Sequence, residues 1–198
     1  MTNKIFTISR EYCSGGRTVG EMLAKKLGIP LYDKEFVDAM AQECGFSHEF
    51  IEEIGEYATV TNSFLFSIAV STHMDGSTNM ITAADRLYAC QANYIQELAE
   101  KGPCVIVGRC ADYILRDDPN AVHAFLYADF KQRISHMNAN GLSEKEASEL
   151  LKEKDGRRRV YYKHYTGRNW GEPQNYDICL NTARLGLEKT TDILASMA

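Results

Sequence analysis

Apolar positions along this chain alternate between short continuous runs and a helical period. Ile5, Phe6 and Ile8 fall in a strand predicted over Lys4–Ser9. After a loop from Arg10 to Gly16, Val19, Met22, Leu23 and Leu27 recur on one helical face, and Gly28 marks the stop. Ile29–Tyr32 reads as a second brief strand, and Asp33 takes the N-cap position of a helix through about Cys44. A further helix is predicted from near Ser47. Thr82-Ala-Ala-Asp85 has capping-box spacing and opens a long helix with Leu87, Tyr94, Ile95 and Leu98 on one side, ended by Lys101-Gly102-Pro103. Cys104–Val107 and Ala121–Tyr127 are strands, the first a continuous apolar run of the kind buried on both faces of a sheet. Asp117-Asp118-Pro119-Asn120 is the turn into the second. Ser143-x-x-Glu146 caps a charged helix, and Tyr176–Asn181 is the last strand before a C-terminal helix.

Strands alternating with helices, joined by right-handed crossovers, predict a three-layer α/β/α domain around a mostly parallel sheet of about five strands. The 198 residues carry no internal repeat and no low-complexity linker, so residues 1–198 read as a single domain. In such sheets ligands sit at the carboxyl ends of the strands, where Arg10–Thr18, Asp33, Gly108-Arg109 and Asp129 fall.

Composition narrows the function classes. Apolar residues at 44% and charged residues at 25% support a packed core and exclude a disordered or fibrous chain. A net charge of −5 and a pI near 5.6 argue against coating nucleic acid or anionic membrane, so any anion site is local. The most apolar run, Phe64–Val70, is far shorter than the roughly 20 residues of a membrane span. The N-terminal stretch has no secretion-signal pattern. The six cysteines form no C-x-x-C pair and no metal-ligand spacing with histidine, so free thiols in a reducing cytoplasm are expected.

The loop Ser14-Gly15-Gly16-Arg17-Thr18 joins a strand to a helix N-terminus, where successive backbone N–H groups and the helix dipole make a concave anion site. Aligned to the P-loop pattern G-x-x-x-x-G-K-[ST], Gly16 takes the second glycine, Arg17 the lysine and Thr18 the hydroxyl position suited to Mg²⁺, while Glu11 replaces the first glycine. Two readings stand on pattern alone: a departed phosphate loop, or a glycine turn with Thr18 merely in the first helical turn. A second feature is the concentration of positive charge in Lys152–Arg168, seven Lys or Arg against two acids. Alone this is a solvated face or a small nucleic-acid patch; beside a phosphate loop it suits the charge that develops in phosphoryl transfer.

The segment IFTISREYCSGGRTVGEMLAKKLGIPLYD, then CVIVGRCADYIL, then the arginine-rich stretch before YDICLNTARLGLE together resemble the cytidylate kinase-like branch of the P-loop nucleoside monophosphate kinases. The resemblance covers nearly the whole chain in order. It implies the P-loop NTPase fold with a helical acceptor-binding insert at about 34–82 and a lid at about 141–171. It also implies ATP as phosphoryl donor, Mg²⁺, and a nucleoside monophosphate or other small acceptor. Ser14, Gly15, Gly16, Arg17 and Thr18 then hold the ATP phosphates, with Thr18 on the metal. Asp33 and Arg109 face the acceptor, with Arg86 a further candidate for its phosphate; Arg133 lies near the ATP base. Arg157 and Arg159 match lid arginines that close on the transferring group together with Arg17.

Several of these residues also have plainer readings. Asp33 is equally a helix cap, Arg133 and Arg86 fit ordinary helix surface, and Tyr161, Tyr162 and Tyr165 fit lid packing. The chain also departs from the family pattern. Val107 and Cys110 stand where cytidylate kinases carry the two aspartates of D-G-R-D, so a CMP preference does not carry over. The T-G-A-M-Y-R continuation after Asp33 is missing as well. The alternative from another class is a nucleotide-binding regulatory protein without turnover. Tyr57–Met80, with Asp75 as its single charge, suits an acceptor lobe or a subunit interface, the latter allowing a homodimer. No membrane or nucleic-acid partner is expected.

Overall fold

In the computed structural model, which describes residues 4–33, 36, 39, 45–48, 51 and 83–198, strand β1 (Ile5–Arg10) is buried along its whole length. Phe6 and Ile8 pack on one side of the sheet with Val19 and Leu23, and Ile5 packs on the other with Ile95 and Leu115. Helix α1 (Gly16–Leu27) buries Val19, Leu23 and Ala24 and ends at Gly28, whose φ of 66° lets its N–H reach the Ala24 carbonyl. Strand β2 is only Leu31–Tyr32, because Pro30 has no N–H to give a ladder. Helix α2 (Ala83–Lys101) buries Leu87, Ile95 and Leu98 as its periodicity requires.

The remaining elements are β3 (Val105–Val107), α3 (Ala111–Ile114), β4 (Ala121–Tyr127), α4 (Phe130–Ala139), α5 (Glu144–Thr166), a 3₁₀ turn (Pro173–Asn175), β5 (Ile178–Asn181), α6 (Thr182–Leu185) and α7 (Leu187–Ala195). The sheet order is β2-β3-β1-β4-β5, and every pairing is parallel. The central β1 pairs Phe6–Ile8 with Val105–Val107 and all of Ile5–Arg10 with Ala121–Leu126. Val105 and Val107 turn to the α1 side and Ile106 to the α2 side, which explains the unbroken apolar run. The expected α/β architecture with a five-stranded parallel sheet is therefore present. The Ser143–Glu146 capping box forms as well, with both reciprocal bonds in place.

Asp33 does cap: its Oδ1 accepts from the Phe36 N–H at 3.3 Å. Thr82, the rest of the 34–82 insert and the apolar stretch Tyr57–Met80 lie largely or wholly outside the described residues. Cys13, Cys104, Cys110 and Cys179 are free thiols. Cys90 is disulfide-bonded, correcting the expectation of six free thiols; sequence spacing does not report which Cβ atoms approach each other. Among the described residues no helix is long and apolar enough to cross a membrane.

Candidate active site

The loop between β1 and α1 is shaped by two glycines with different duties. Gly15 sits at φ 77°, in the left-handed region, and a Cβ there would lie 2.6 Å from Leu187 Cδ2. Gly16 has no such φ, but a Cβ there would meet Arg10 Cβ at 2.5 Å, so the first turn of α1 lies directly on the end of β1. Cys13 also holds a positive φ, 59°. The buried Ser14 hydroxyl turns inward, donating to the Glu11 carbonyl at 2.9 Å and to that of Leu126 at 3.1 Å, and its N–H donates to the Glu11 carbonyl at 3.3 Å, so Ser14 braces the loop from within. Just after β5, the Thr182 hydroxyl lies 2.6 Å from the Ser14 carbonyl and 3.1 Å from that of Tyr127. Carbonyls tied back in this way leave the amides at the head of α1 to an anion.

Glu11, at the position of the first P-loop glycine, does not fill the loop. Its Oε2 accepts from the Ala128 N–H at 3.1 Å and lies 3.4 Å from Arg133 Nη2. Burial pushes this carboxyl up, while the Ala128 N–H and the Arg133 charge pull it down less strongly. Arg133 is itself buried, its Nη1 donating to the Tyr12 carbonyl at 3.0 Å and to Asp155 Oδ2 at 2.6 Å. The guanidinium expected near a base is thus engaged with the loop, although Arg133 does border one cleft described below.

Two clefts meet at the loop, sharing Cys13, Gly15, Thr18 and His136. The first, about 330 Å³, is walled by Arg10, Glu11, Arg17, Thr18, Asp33 and Arg158 among others. The second, about 270 Å³, opens toward Gln132, Thr182, Ala183 and Leu187. Arg17 and Asp33 are brought together in the first: Nη2 lies 2.9 Å from Asp33 Oδ2, and Nε donates to Glu21 Oε1 at 3.2 Å. Asp33 therefore divides its two oxygens between the helix cap and Arg17. A hydroxyl and a carboxylate on one wall, Thr18 and Asp33, match the oxygen donors Mg²⁺ takes when phosphates complete its shell. No cluster of three or more His, Cys, Asp or Glu side chains suited to a metal occurs among the described residues.

The other expected residues lie elsewhere. Arg109 is 1% exposed and lines neither cleft. It belongs to a turn, Gly108-Arg109-Cys110, in which all three residues are left-handed (φ 83°, 56° and 55°), a costly conformation for the two non-glycine members. Burial holds the Tyr161 phenol well up, and the Arg109 charge opposes that rise. Beside the turn, Tyr162 donates to Asp112 Oδ2 at 2.6 Å, and burial of this carboxyl lifts it to about 6 despite that bond. Arg86 is exposed on the first turn of α2. Arg157 pairs with Glu153 one turn back, and exposed Arg159 lies 5.8 Å over the Trp170 ring. Neither lines either of these two clefts; Arg158 lines the first, and its Nη1 donates to the Arg10 carbonyl at 2.9 Å.

Arg158, Asp155, Tyr12 and His136 were not singled out from the sequence. A signal for two of them existed: Leu151, Asp155, Arg158 and Tyr162 follow the buried stripe of α5, so a carboxylate and a guanidinium on that stripe had to find partners inside.

A parallel sheet with a glycine loop at the carboxyl end of its central strand, feeding a helix N-terminus, defines the P-loop kinase class of α/β proteins. The model of the cytidylate kinase-like family matches residues 5–184, and the chain belongs to that family. A solved structure of an uncharacterized protein from Eubacterium ventriosum ATCC 27560 is 29% identical, with 98% of this chain and 97% of that chain covered and a TM-score of 0.73. Shikimate kinase from Bacteroides thetaiotaomicron (13% identity, 98% and 97% covered, TM-score 0.53) and a gluconokinase from Sinorhizobium meliloti 1021 (15%, 99% and 94%, 0.53) share the fold. No curated protein matches the chain.

Proposed function

We propose that the protein is a phosphotransferase of the nucleoside monophosphate kinase type, moving the γ-phosphoryl group of ATP to a small acceptor. The observation that carries this reading is the loop at the head of α1. Its carbonyls are bonded back into the protein, its two glycines are sterically required, and it stands where two clefts meet. The cleft toward Ala183 and Leu187 suits the donor nucleoside, and the cleft holding Arg17 and Asp33 suits the acceptor.

In this reading the amides of Gly15–Thr18 bind the polyphosphate, and Ser14 holds the loop beneath it through its hydroxyl and peptide bonds. Arg17 swings from Asp33 to the phosphates and frees that carboxylate for the acceptor. Arg157 and Arg159 approach over the loop and shield the transferring group from water, while Arg109 and Arg86 serve the acceptor side. Bound Mg²⁺, held by Thr18 with Asp33 nearby, supplies charge neutralisation on the phosphates. An acceptor oxygen forms a bond to the γ-phosphorus, the bond to the bridging oxygen breaks, and ADP leaves. Catalysis rests on positioning and electrostatics, so no side-chain nucleophile is needed.

A second reading, a regulatory nucleotide binder, draws support from Arg17 being paired with Asp33 and from Val107 and Cys110, rather than carboxylates, flanking Gly108-Arg109 at the end of β3. One assay separates the two: ATP-dependent ADP release across nucleoside monophosphates, nucleosides, and hydroxy acids such as shikimate and gluconate. Acceptor-stimulated ADP release supports the kinase; ATP binding with no stimulation by any acceptor refutes it and favours the regulatory protein.

A further inference from the structure

The peptide groups of Tyr12, just ahead of the phosphate loop, are held by two side chains far away in sequence. Its N–H donates to Asp155 Oδ1 at 2.7 Å and its carbonyl accepts from Arg133 Nη1 at 3.0 Å. The same Arg133 nitrogen lies 2.6 Å from Asp155 Oδ2. Arg133 and Asp155 are 5% and 6% exposed. A buried ion pair is tolerated when hydrogen bonds satisfy its remaining atoms, and here main chain of the loop strand supplies them. The contact precedes the two left-handed residues of the loop, Cys13 and Gly15, and so sets the direction from which the following amides arrive. Asp155 also precedes Arg157 and Arg159 by two and four positions on α5, so its bond to Tyr12 fixes where that turn meets the loop.

We propose that Asp155 and Arg133 form a positioning pair that holds the phosphate loop in its anion-binding shape and registers the arginine-bearing turn of α5 against it. This rests on the nucleotide-binding reading above and adds that polyphosphate affinity depends on a contact outside the loop. Neither residue is required to touch the ligand.

The test is calorimetry with ATP and with inorganic tripolyphosphate on the wild type and on Asp155→Asn, Arg133→Gln and the double variant. Asp155→Asn retains an acceptor for Tyr12 but loses the nearer of the two carboxylate charges facing Arg133, leaving Glu11 at 3.4 Å. Both dissociation constants are expected to rise about tenfold in each single variant. The double variant is expected to be no weaker than the worse single one, because one contact is lost either way. Arg133→Lys, which keeps the charge but not the fork, recovers part of the loss. A purely structural role lowers the melting temperature but leaves both constants of the folded variants unchanged, and that result overturns the proposal. Should the variants not fold, amide exchange on the wild type decides: Tyr12 is expected to be protected about a hundredfold or more, and an unprotected Tyr12 amide overturns the pair. Wild-type protein that binds neither ligand refutes the nucleotide reading itself, an outcome distinct from wild-type binding that the variants leave intact.

Discussion

Replacing Arg17 by alanine separates a functional role from a structural one, because the structure sets different magnitudes for each. Arg17 is 55% exposed at its side chain and holds two carboxylates, Asp33 at 2.9 Å and Glu21 at 3.2 Å. Surface pairs of this kind contribute about 0–1 kcal/mol each, so removing both lowers stability by about 0–2 kcal/mol. A guanidinium bonded to phosphate oxygens contributes about 1.5–3 kcal/mol. Against that stands the loss of the Asp33 and Glu21 contacts when Arg17 turns to the ligand. The net expectation is about 1.4 kcal/mol, a tenfold loss of ATP affinity or of kcat/KM. Calorimetric ATP titration and coupled ADP release, paired with thermal melts, measure both sides. A variant with wild-type affinity and turnover refutes the assigned role, and a variant that loses activity only in proportion to unfolded protein refutes the separation.

Three further outcomes follow from named contacts. Gly16→Ala places a Cβ 2.5 Å from Arg10 Cβ, and the overpacking is expected to lower stability by about 1–3 kcal/mol and to impair ATP binding, read by urea denaturation and titration. Thr182→Val removes the 2.6 Å bond to the Ser14 carbonyl and is expected to destabilise by about 1–2 kcal/mol in the same denaturation assay. Asp112 has a folded pKa raised from 3.8 to about 6, so the folded state binds its proton more tightly than the unfolded state. Its stabilising effect is therefore complete below the ordinary carboxylate range and fades as pH rises through about 6, an order of 3 kcal/mol at 1.36 kcal/mol per unit. Denaturation of wild type and Asp112→Asn from pH 4 to 7.5 is expected to differ in slope across that window; parallel curves contradict the assignment.

The elements most legible in the sequence were those whose burial leaves a periodic trace. The Val19 and Leu23 face of α1, the apolar run ending at Val107 and the Ser143–Glu146 cap each appear at the expected place. Strand ends were less legible. β5 starts at Ile178 rather than Tyr176, because the 3₁₀ turn at Pro173–Asn175 delays its entry into the sheet. The loop between β1 and α1 was visible through its glycines, but the reasons for them, Leu187 under Gly15 and Arg10 under Gly16, are contacts between separate elements. Among the arginines of α5, charge drew attention to Arg157 and Arg159, whereas burial picks out Arg158, whose position on the Leu151–Tyr162 stripe was available as a clue.

What the sequence by itself determined is local: which stretches form strands and helices, where caps and glycine stops fall, and that a glycine loop joins the first strand to a helix. These depend on residue type and short spacing, which act within a turn or two of chain. Tertiary structure alone decided the partners of the charges. Glu11 meets Arg133 across 122 positions, Asp155 meets Tyr12 across 143, and Arg17 meets Asp33 across the cleft. Electrostatic and hydrogen-bond pairing depends on distance in space and on exclusion of water, and both exist only after the parallel sheet has brought the carboxyl ends of its strands to one edge.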